Sequence, residues 1–374
     1  MNKFLLVPDS FKGTLSATEV CGIMRDTILR LIPDAQVLSI PVADGGEGTV
    51  DCFVEALKCE KVFCSVSDPV GLPVEGFFGL LPDGRAIIEM AAAAGLPLME
   101  GRLDPLGAGT YGVGQLIGAA LDRGARSILL GLGGSATTDG GCGAAAALGV
   151  RFLDEAGSAF IPTGGTLERI STMDMSGLDP RVGETTFTAM CDIDNPLYGP
   201  RGAAHIFAPQ KGASPEQVDV LDKGLIHLSA ILAQTLGRDV SALPGAGAAG
   251  GMGACASAIL GAQLRRGIDA VLDTVCFETL LRNCDLVFTG EGKLDSQSLG
   301  GKVVLGVSLR AKAQGIPVVA VVGGADEGIS GIYDCGITAV FPINRMPQDF
   351  SVSRYHSREN LSATTEDIIR LLRR

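Results

Sequence analysis

Tryptophan is absent from this 374-residue chain, and histidine, at three, and tyrosine, at four, are scarce. His205, His227 and His356 are scattered without metal-ligand spacing, which argues against a zinc centre or a Ser-His-Asp apparatus. Carboxylates and lysines are left to carry any chemistry. Cysteine is not rare, at ten, but no C-x-x-C pair occurs and no basic, apolar leader opens the chain, so reduced thiols and a cytoplasmic location are expected. The longest uncharged stretch, residues 245–264, is broken by glycines and small residues, and no membrane segment is read from it. Positive charge is the minority: 30 Lys and Arg against 42 Asp and Glu leave a formal charge of -12. Nucleic acid is therefore not an expected partner, since its binding rests on basic side chains. An anionic substrate would need local positive charge from Lys, Arg, helix N-termini or a metal ion.

What is present is a globular composition, 46% hydrophobic and 19% charged with 52 glycines, in a chain long enough for two cores. The first residues alternate strand and helix. Phe4-Leu5-Leu6-Val7 reads as a buried parallel strand; Ser16 and Glu19 form a capping box, and Val20, Ile23, Met24, Ile28 and Leu31 follow at helical spacing as far as Pro33. Residues 37–42 form a second strand, and Val50, Phe53, Val54 and Leu57 one face of a second helix. Strands return at residues 286–288, 318–322 and 338–341. This grammar predicts an α/β fold, a doubly wound flavodoxin- or Rossmann-like domain, discontinuous in sequence, with a second α/β domain inserted. Boundaries are set at residues 1–68 plus 283–374 for the discontinuous domain and 69–282 for the insert. A cleft between two such domains is where a small ligand is expected. Ser214-Pro215-Glu216-Gln217 marks a further helix start.

Several loops that follow strands carry polar groups. The run Gly133-Gly134-Ser135-Ala136-Thr137-Thr138-Asp139-Gly140-Gly141 comes after the apolar strand at residues 127–130 and before a helix-prone stretch. Its glycines allow a ligand to approach the backbone, amides at a helix start can bind phosphate or carboxylate, and its hydroxyls and Asp139 can meet phosphate or Mg2+. A tight strand-to-helix turn is the plainer account. Thr289-Gly290-Glu291-Gly292-Lys293-Leu294-Asp295 lies at the carboxyl end of another strand. There Glu291 and Asp295 can hold Mg2+, and Lys293, or Lys302 after Gly300-Gly301, can neutralise phosphate. Neither Gly-Lys pair has the P-loop spacing. Asp9-Ser10-Phe11-Lys12-Gly13 and Asp44-Gly45-Gly46-Glu47-Gly48 also follow strands, and N-capping with solvated charge is the alternative for each. In Cys191-Asp192-Ile193-Asp194-Asn195-Pro196, Asp192 or Asp194 can take a hydroxyl proton or ligate a metal, or simply form a proline-bounded turn. Gly245-Ala246-Gly247-Ala248-Ala249-Gly250 matches the dinucleotide fingerprint but follows no convincing strand, so close helix packing, or a second loop lining the cleft, is a better account than NAD binding.

Taken in order, these runs, together with residues 247–253 and Gln297, resemble the glycerate kinase type 1 family along nearly the whole chain. The resemblance implies ATP- and Mg2+-dependent phosphorylation of D-glycerate, with the 2-hydroxyl favoured and 2-phospho-D-glycerate as product, in the breakdown of sugar diacids or glyoxylate. It implies a flavodoxin-like domain with a separate domain inserted. On this basis Lys12 and Ser10 are expected to engage the substrate carboxylate, with Asp9, Asp44 and Glu47 nearby. Asp192 would orient or deprotonate the hydroxyl, and Glu291 and Asp295 would organise Mg2+. Gly133, Gly134, Ser135 and Thr137 would cradle phosphate, with Lys293 or Lys302 balancing charge. D-glycerate and ATP are then the partners, with neither nucleic acid nor membrane, and a homodimer is compatible with a sequence that leaves the oligomeric state open. The rival readings are phosphorylation of the 3-hydroxyl or of another small hydroxy acid, an NAD(P)-dependent hydroxy-acid oxidoreductase, and a non-catalytic small-acid sensor.

Overall fold

A computed structural model describes residues 2–43, 45–295 and 303–373. The principal strands are β1 (Lys3–Pro8), β2 (Gln36–Ser39), β3 (Glu60–Ser67), β4 (Pro73–Leu80), β5 (Arg85–Glu89), β6 (Ser127–Gly131), β7 (Thr186–Met190), β8 (Gln263–Arg265), β9 (Leu286–Gly290), β10 (Val318–Val322) and β11 (Ile337–Pro342). The helices used below are α1 (Ala17–Leu31), α2 (Thr49–Leu57), α3 (Tyr111–Asp122), α4 (Cys142–Ala147), α5 (Pro215–Leu236), α6 (Ala248–Ala258), α7 (Gly267–Thr274) and α8 (Ser357–Leu372). Local signals account for where many of them begin. At α1 the Ser16 hydroxyl accepts from Glu19 N–H and the Glu19 side chain accepts from Ser16 N–H; Ser214 and Gln217 repeat the box at α5, whose first residue is Pro215.

The chain divides into two compact units, one of residues 1–44, 51–58 and 268–374, the other of residues 45–50 and 59–267. In the first, a five-stranded sheet runs β11-β10-β9-β1-β2 with every neighbour parallel. Taken in chain order this is 2-1-3-4-5, the flavodoxin-like order, which reverses between β1 and β9. Strands β9 and β10, Leu-Val-Phe-Thr-Gly and Val-Val-Ala-Val-Val, are buried at every position, as a parallel strand covered on both faces requires. Phe4, Leu6 and Phe288 pack there against Met24 and Ile28 of α1 and Ile368 of α8.

In the second unit the sheet order is β8-β7-β6-β5-β4-β3, with β5 to β8 parallel and β3 to β5 antiparallel. The break at residue 68 expected from sequence therefore falls elsewhere. Residues 60–67 pair along their whole length with residues 73–80, which ties β3 to the second unit, and residues 268–282 group with the first. An isolated amphipathic strand does not reveal its partner; the hairpin register decides it. Among the described residues no helix is long and apolar enough to cross a membrane. All ten cysteines are free thiols.

Candidate active site

In the first unit Pro8 of β1 lies opposite Gly290 of β9, so residues 9–13 and 291–295 leave the sheet side by side where the strand order reverses. In open α/β sheets this is where ligands bind. Asp9 N–H donates to the Gly290 carbonyl at 2.8 Å, the Asp9 carboxylate accepts from Ser10 N–H at 2.6 Å, and an isolated bridge between Phe11 and Leu15 closes the turn. A Cβ added at Gly292 would stand 3.1 Å from the Lys12 nitrogen, so the two loops touch. Lys12 is exposed and Glu291 is 5% exposed. Gly323 N–H donates to the Glu291 carbonyl at 3.1 Å, which brings in the loop after β10. From that loop Asp326 takes Lys293 as an ion-pair partner at 2.9 Å and raises the lysine's pKa. The pair is well exposed and adds little stability, about 1 kcal/mol at most. It also engages the charge that sequence reasoning assigned to phosphate.

Glu291 and Asp295 offer hard oxygen donors from one loop, the donor type that Mg2+ accepts. Among the described residues no group of three or more His, Cys, Asp and Glu gathers to hold a metal. Mg2+ is commonly held by one or two carboxylates, with phosphate oxygens and water completing its octahedron, and the residues fit that arrangement. Asp44, Gln297 and Lys302 lie outside the described residues.

In the second unit the strand register sets Glu89, Gly131, Met190 and Arg265 in one row across the carboxyl edge of the parallel strands. Asp192 and Gly133 each stand two residues beyond that row. Asp192 is exposed, and its Oδ1 accepts from Gly267 N–H, the first residue of α7, at 2.7 Å. A carboxylate is well placed at the positive end of a helix. Glu89, buried to 1%, accepts from Val50 N–H of α2 at 3.0 Å. Asp194, by contrast, is exposed and pairs with Arg201 at 3.1 Å. Glu47 is exposed.

Two expectations for the glycine-rich loop are corrected by its contacts. A Cβ at Gly131 would lie 2.3 Å from the Gly45 carbonyl oxygen and one at Gly133 only 2.6 Å from Gly46 Cα, while Gly133 N–H donates to the Gly45 carbonyl at 2.9 Å. These glycines admit another loop's backbone. The amides at the start of α4 are also taken. Asp139, fully buried, accepts from Gly141 N–H on Oδ1 and from Thr110 N–H, Thr110 Oγ1 and Gly143 N–H on Oδ2, and Thr110 Oγ1 in turn accepts from Ala144 N–H. Burial pushes the Asp139 carboxyl pKa up, and these donors oppose that shift. Among the described residues the amides of Gly134 and Ser135 meet no acceptor, so the part of the loop open to an anion is the part around those two residues.

Sequence reasoning missed Lys211. It is 2% exposed, and its Nζ donates to Ser135 Oγ at 3.1 Å and to the Thr137 carbonyl at 2.5 Å. Nothing in Pro209-Gln210-Lys211-Gly212 distinguishes it from a surface lysine. Residues 245–250, the dinucleotide-like run, lead into α6, where Ala249, Gly250 and Gly251 make a left-handed turn. A Cβ at Gly250 would be 2.0 Å from the Thr137 oxygen. The run therefore packs against the glycine-rich loop.

With both sheets and their loops placed, likeness to known proteins decides the family. The model of the glycerate kinase family matches residues 4–373. This chain belongs to the glycerate kinase family. It is an enzyme, a kinase. The chain is 44% identical to the glycerate kinase of Bacillus subtilis strain 168 over 98% of its own length and 96% of that protein. It is 43% identical to the glycerate 2-kinase of Escherichia coli K12 over 91% of this chain and 90% of that one. The crystal structure assigned to glycerate kinase 2 of Salmonella typhimurium LT2 matches it with a TM-score of 0.89 at 41% identity, covering 100% of this chain and 98% of that one. That structure shares the mixed α/β architecture described above.

Proposed function

We propose that this enzyme transfers the γ-phosphoryl group of ATP to the 2-hydroxyl of D-glycerate, giving 2-phospho-D-glycerate and ADP, in the cytoplasm. The likeness to a glycerate 2-kinase over nine-tenths of both chains carries this reading. Phosphoryl transfer asks a protein mainly for positioning and charge neutralisation, with one carboxylate to accept the hydroxyl proton. In the first unit Lys12 and Ser10 bind the glycerate carboxylate, with Asp9 orienting Ser10 through its amide. Glu291 and Asp295 hold Mg2+, which when bound would neutralise charge on the phosphate oxygens. In the second unit the amides of Gly134 and Ser135 receive phosphate, and Gly133 sets the loop's path against residues 45–46. Asp192, fixed through Gly267 N–H on one oxygen, takes the hydroxyl proton. Asp44, Glu47, Thr137, Lys293 and Lys302 complete the proposed set, with Lys293 exchanging Asp326 for phosphate.

The test is ADP release, followed by a coupled assay, on mixing enzyme, ATP, Mg2+ and D-glycerate, with phosphorus NMR of the product. The reading requires turnover that needs both substrates and a 2-phosphate product. A 3-phosphate would overturn the regiochemistry, and binding without turnover would overturn the reaction.

A further inference from the structure

The buried side of the glycine-rich loop carries a cation that phosphoryl transfer as described leaves unused. Lysine is seldom fully buried, and an ammonium out of water is tolerated only with partners. Lys211, 2% exposed, meets the condition by donating to two points of one loop, the Ser135 hydroxyl and the Thr137 carbonyl. Between those points the loop is neither helix nor extended sheet; on its other side the bridge of Ser135 with Gly95 is closed by Leu96 N–H to the Gly134 carbonyl at 2.9 Å and Ala136 N–H to the Ala94 carbonyl at 2.8 Å, and Lys211 ties the side that this bridge leaves unheld. The hydroxyls of Thr137 and Thr138 are buried with no hydrogen-bond partner among the described residues, so they do not anchor it. Asp139 holds the loop's far end and Lys211 its near end.

We propose that Lys211 is a positioning residue. Its ammonium holds residues 135–137 in the curve that presents the Gly134 and Ser135 amides to phosphate, and deprotonation, which leaves a neutral amine in place of the charged donor, weakens both bonds and loosens that curve. The proposal rests on the reading of this loop as a phosphate subsite. Burial lowers the lysine's pKa to about 7, against the opposing charge of Asp139. Other charged groups on neighbouring segments are engaged elsewhere: Asp104 accepts from Gly107 N–H, Arg102 pairs with Asp68, and Glu216 accepts from Ser214 Oγ. Asp139 is the charge that acts on Lys211.

Lys211→Met keeps the stem and removes the ammonium. In the full-length enzyme, two readouts are compared with wild type: amide hydrogen exchange over residues 133–141, and kcat and KM for ATP as pH is raised. Expected are exchange in the loop about tenfold faster or more with β6 unchanged, and kcat/KM for ATP lower by about ten- to a hundredfold, mainly through KM. Wild type should lose kcat/KM for ATP on the alkaline side of about pH 7, and the variant should lack that limb. Equal loop protection in the two proteins, or an alkaline limb that survives in Lys211→Met, overturns the proposal. A loosened loop with unchanged KM for ATP supports the role of Lys211 and removes the phosphate assignment of the loop. If the variant does not fold, wild type alone decides: protection of the loop relative to β6 falls as pH passes about 7, and constant relative protection overturns the proposal.

Discussion

Replacing Asp192 by asparagine separates a proton acceptor from a helix cap at one position. Asp192 Oδ1 accepts from Gly267 N–H at 2.7 Å at the start of α7. An asparagine oxygen can take the same bond, so what the fold loses is the charge at the helix N-terminus, about 0.3 to 1 kcal/mol. For a domain of this size that lowers Tm by about 1 to 4 °C. With native stability of about 5 to 15 kcal/mol, the folded fraction at assay temperature does not change measurably. Removing a general base, however, lowers turnover by about 10²- to 10⁴-fold. Asp192→Ala, which also loses the cap, should match asparagine in kcat but cost about 0.5 to 2 kcal/mol in stability. Coupled ADP release with saturating ATP and D-glycerate gives kcat, and circular dichroism gives Tm. Near-wild-type turnover in Asp192→Asn would refute the base assignment, and equal stability of the two variants would refute the capping argument.

Asp139→Ala strips the acceptor from three N–H groups and the Thr110 hydroxyl. At about 1 to 3 kcal/mol per stranded buried donor, with water relieving part of it, urea unfolding should show a loss near 4 kcal/mol, and a loss below about 1 would contradict the network. Ala249, at φ 53 and ψ 42, occupies the left-handed region unfavourable to an L side chain, so Ala249→Gly should stabilise by about 0.5 to 1 kcal/mol in the same assay. Lys211 binds its proton more weakly in the folded chain, at about 7, than at its ordinary 10.5, so the unfolded chain holds the extra proton between those values. Wild-type stability relative to Lys211→Met should therefore rise with pH across that window, by up to about 1.4 kcal/mol per unit, and fade as pH falls through 7; a difference independent of pH would contradict it.

The site was legible in kind more than in arrangement. That residues 9–13, 191–197 and 291–295 follow strands could be read from apolar runs ending in polar turns, and each does leave a strand's carboxyl end. The reading of Gly133 as ligand-facing was the natural inference from a glycine-rich pattern, and Gly131 at the end of the preceding strand shares its surroundings. Their neighbours are Gly45 and Gly46, some 87 positions earlier, and no local pattern reports such a contact. The same holds for Asp139, whose donors include Thr110, |i−j| of 29 away.

Short-range physics therefore settled this chain's elements. Capping boxes at Ser16 and Ser214, and the unbroken apolar runs of β9 and β10, act within a few residues, and their outcome can be read before any fold exists. The ordered motifs likewise carried the family. Tertiary structure alone decided which strand pairs with which, where the units divide, and which charges are buried. Lys211 is the clearest instance: by sequence it is one of 30 basic residues, and only contact with Ser135, |i−j| of 76 away, takes its ammonium out of water. Desolvation depends on what the rest of the chain packs around a group, and that information is not held in its neighbours along the sequence.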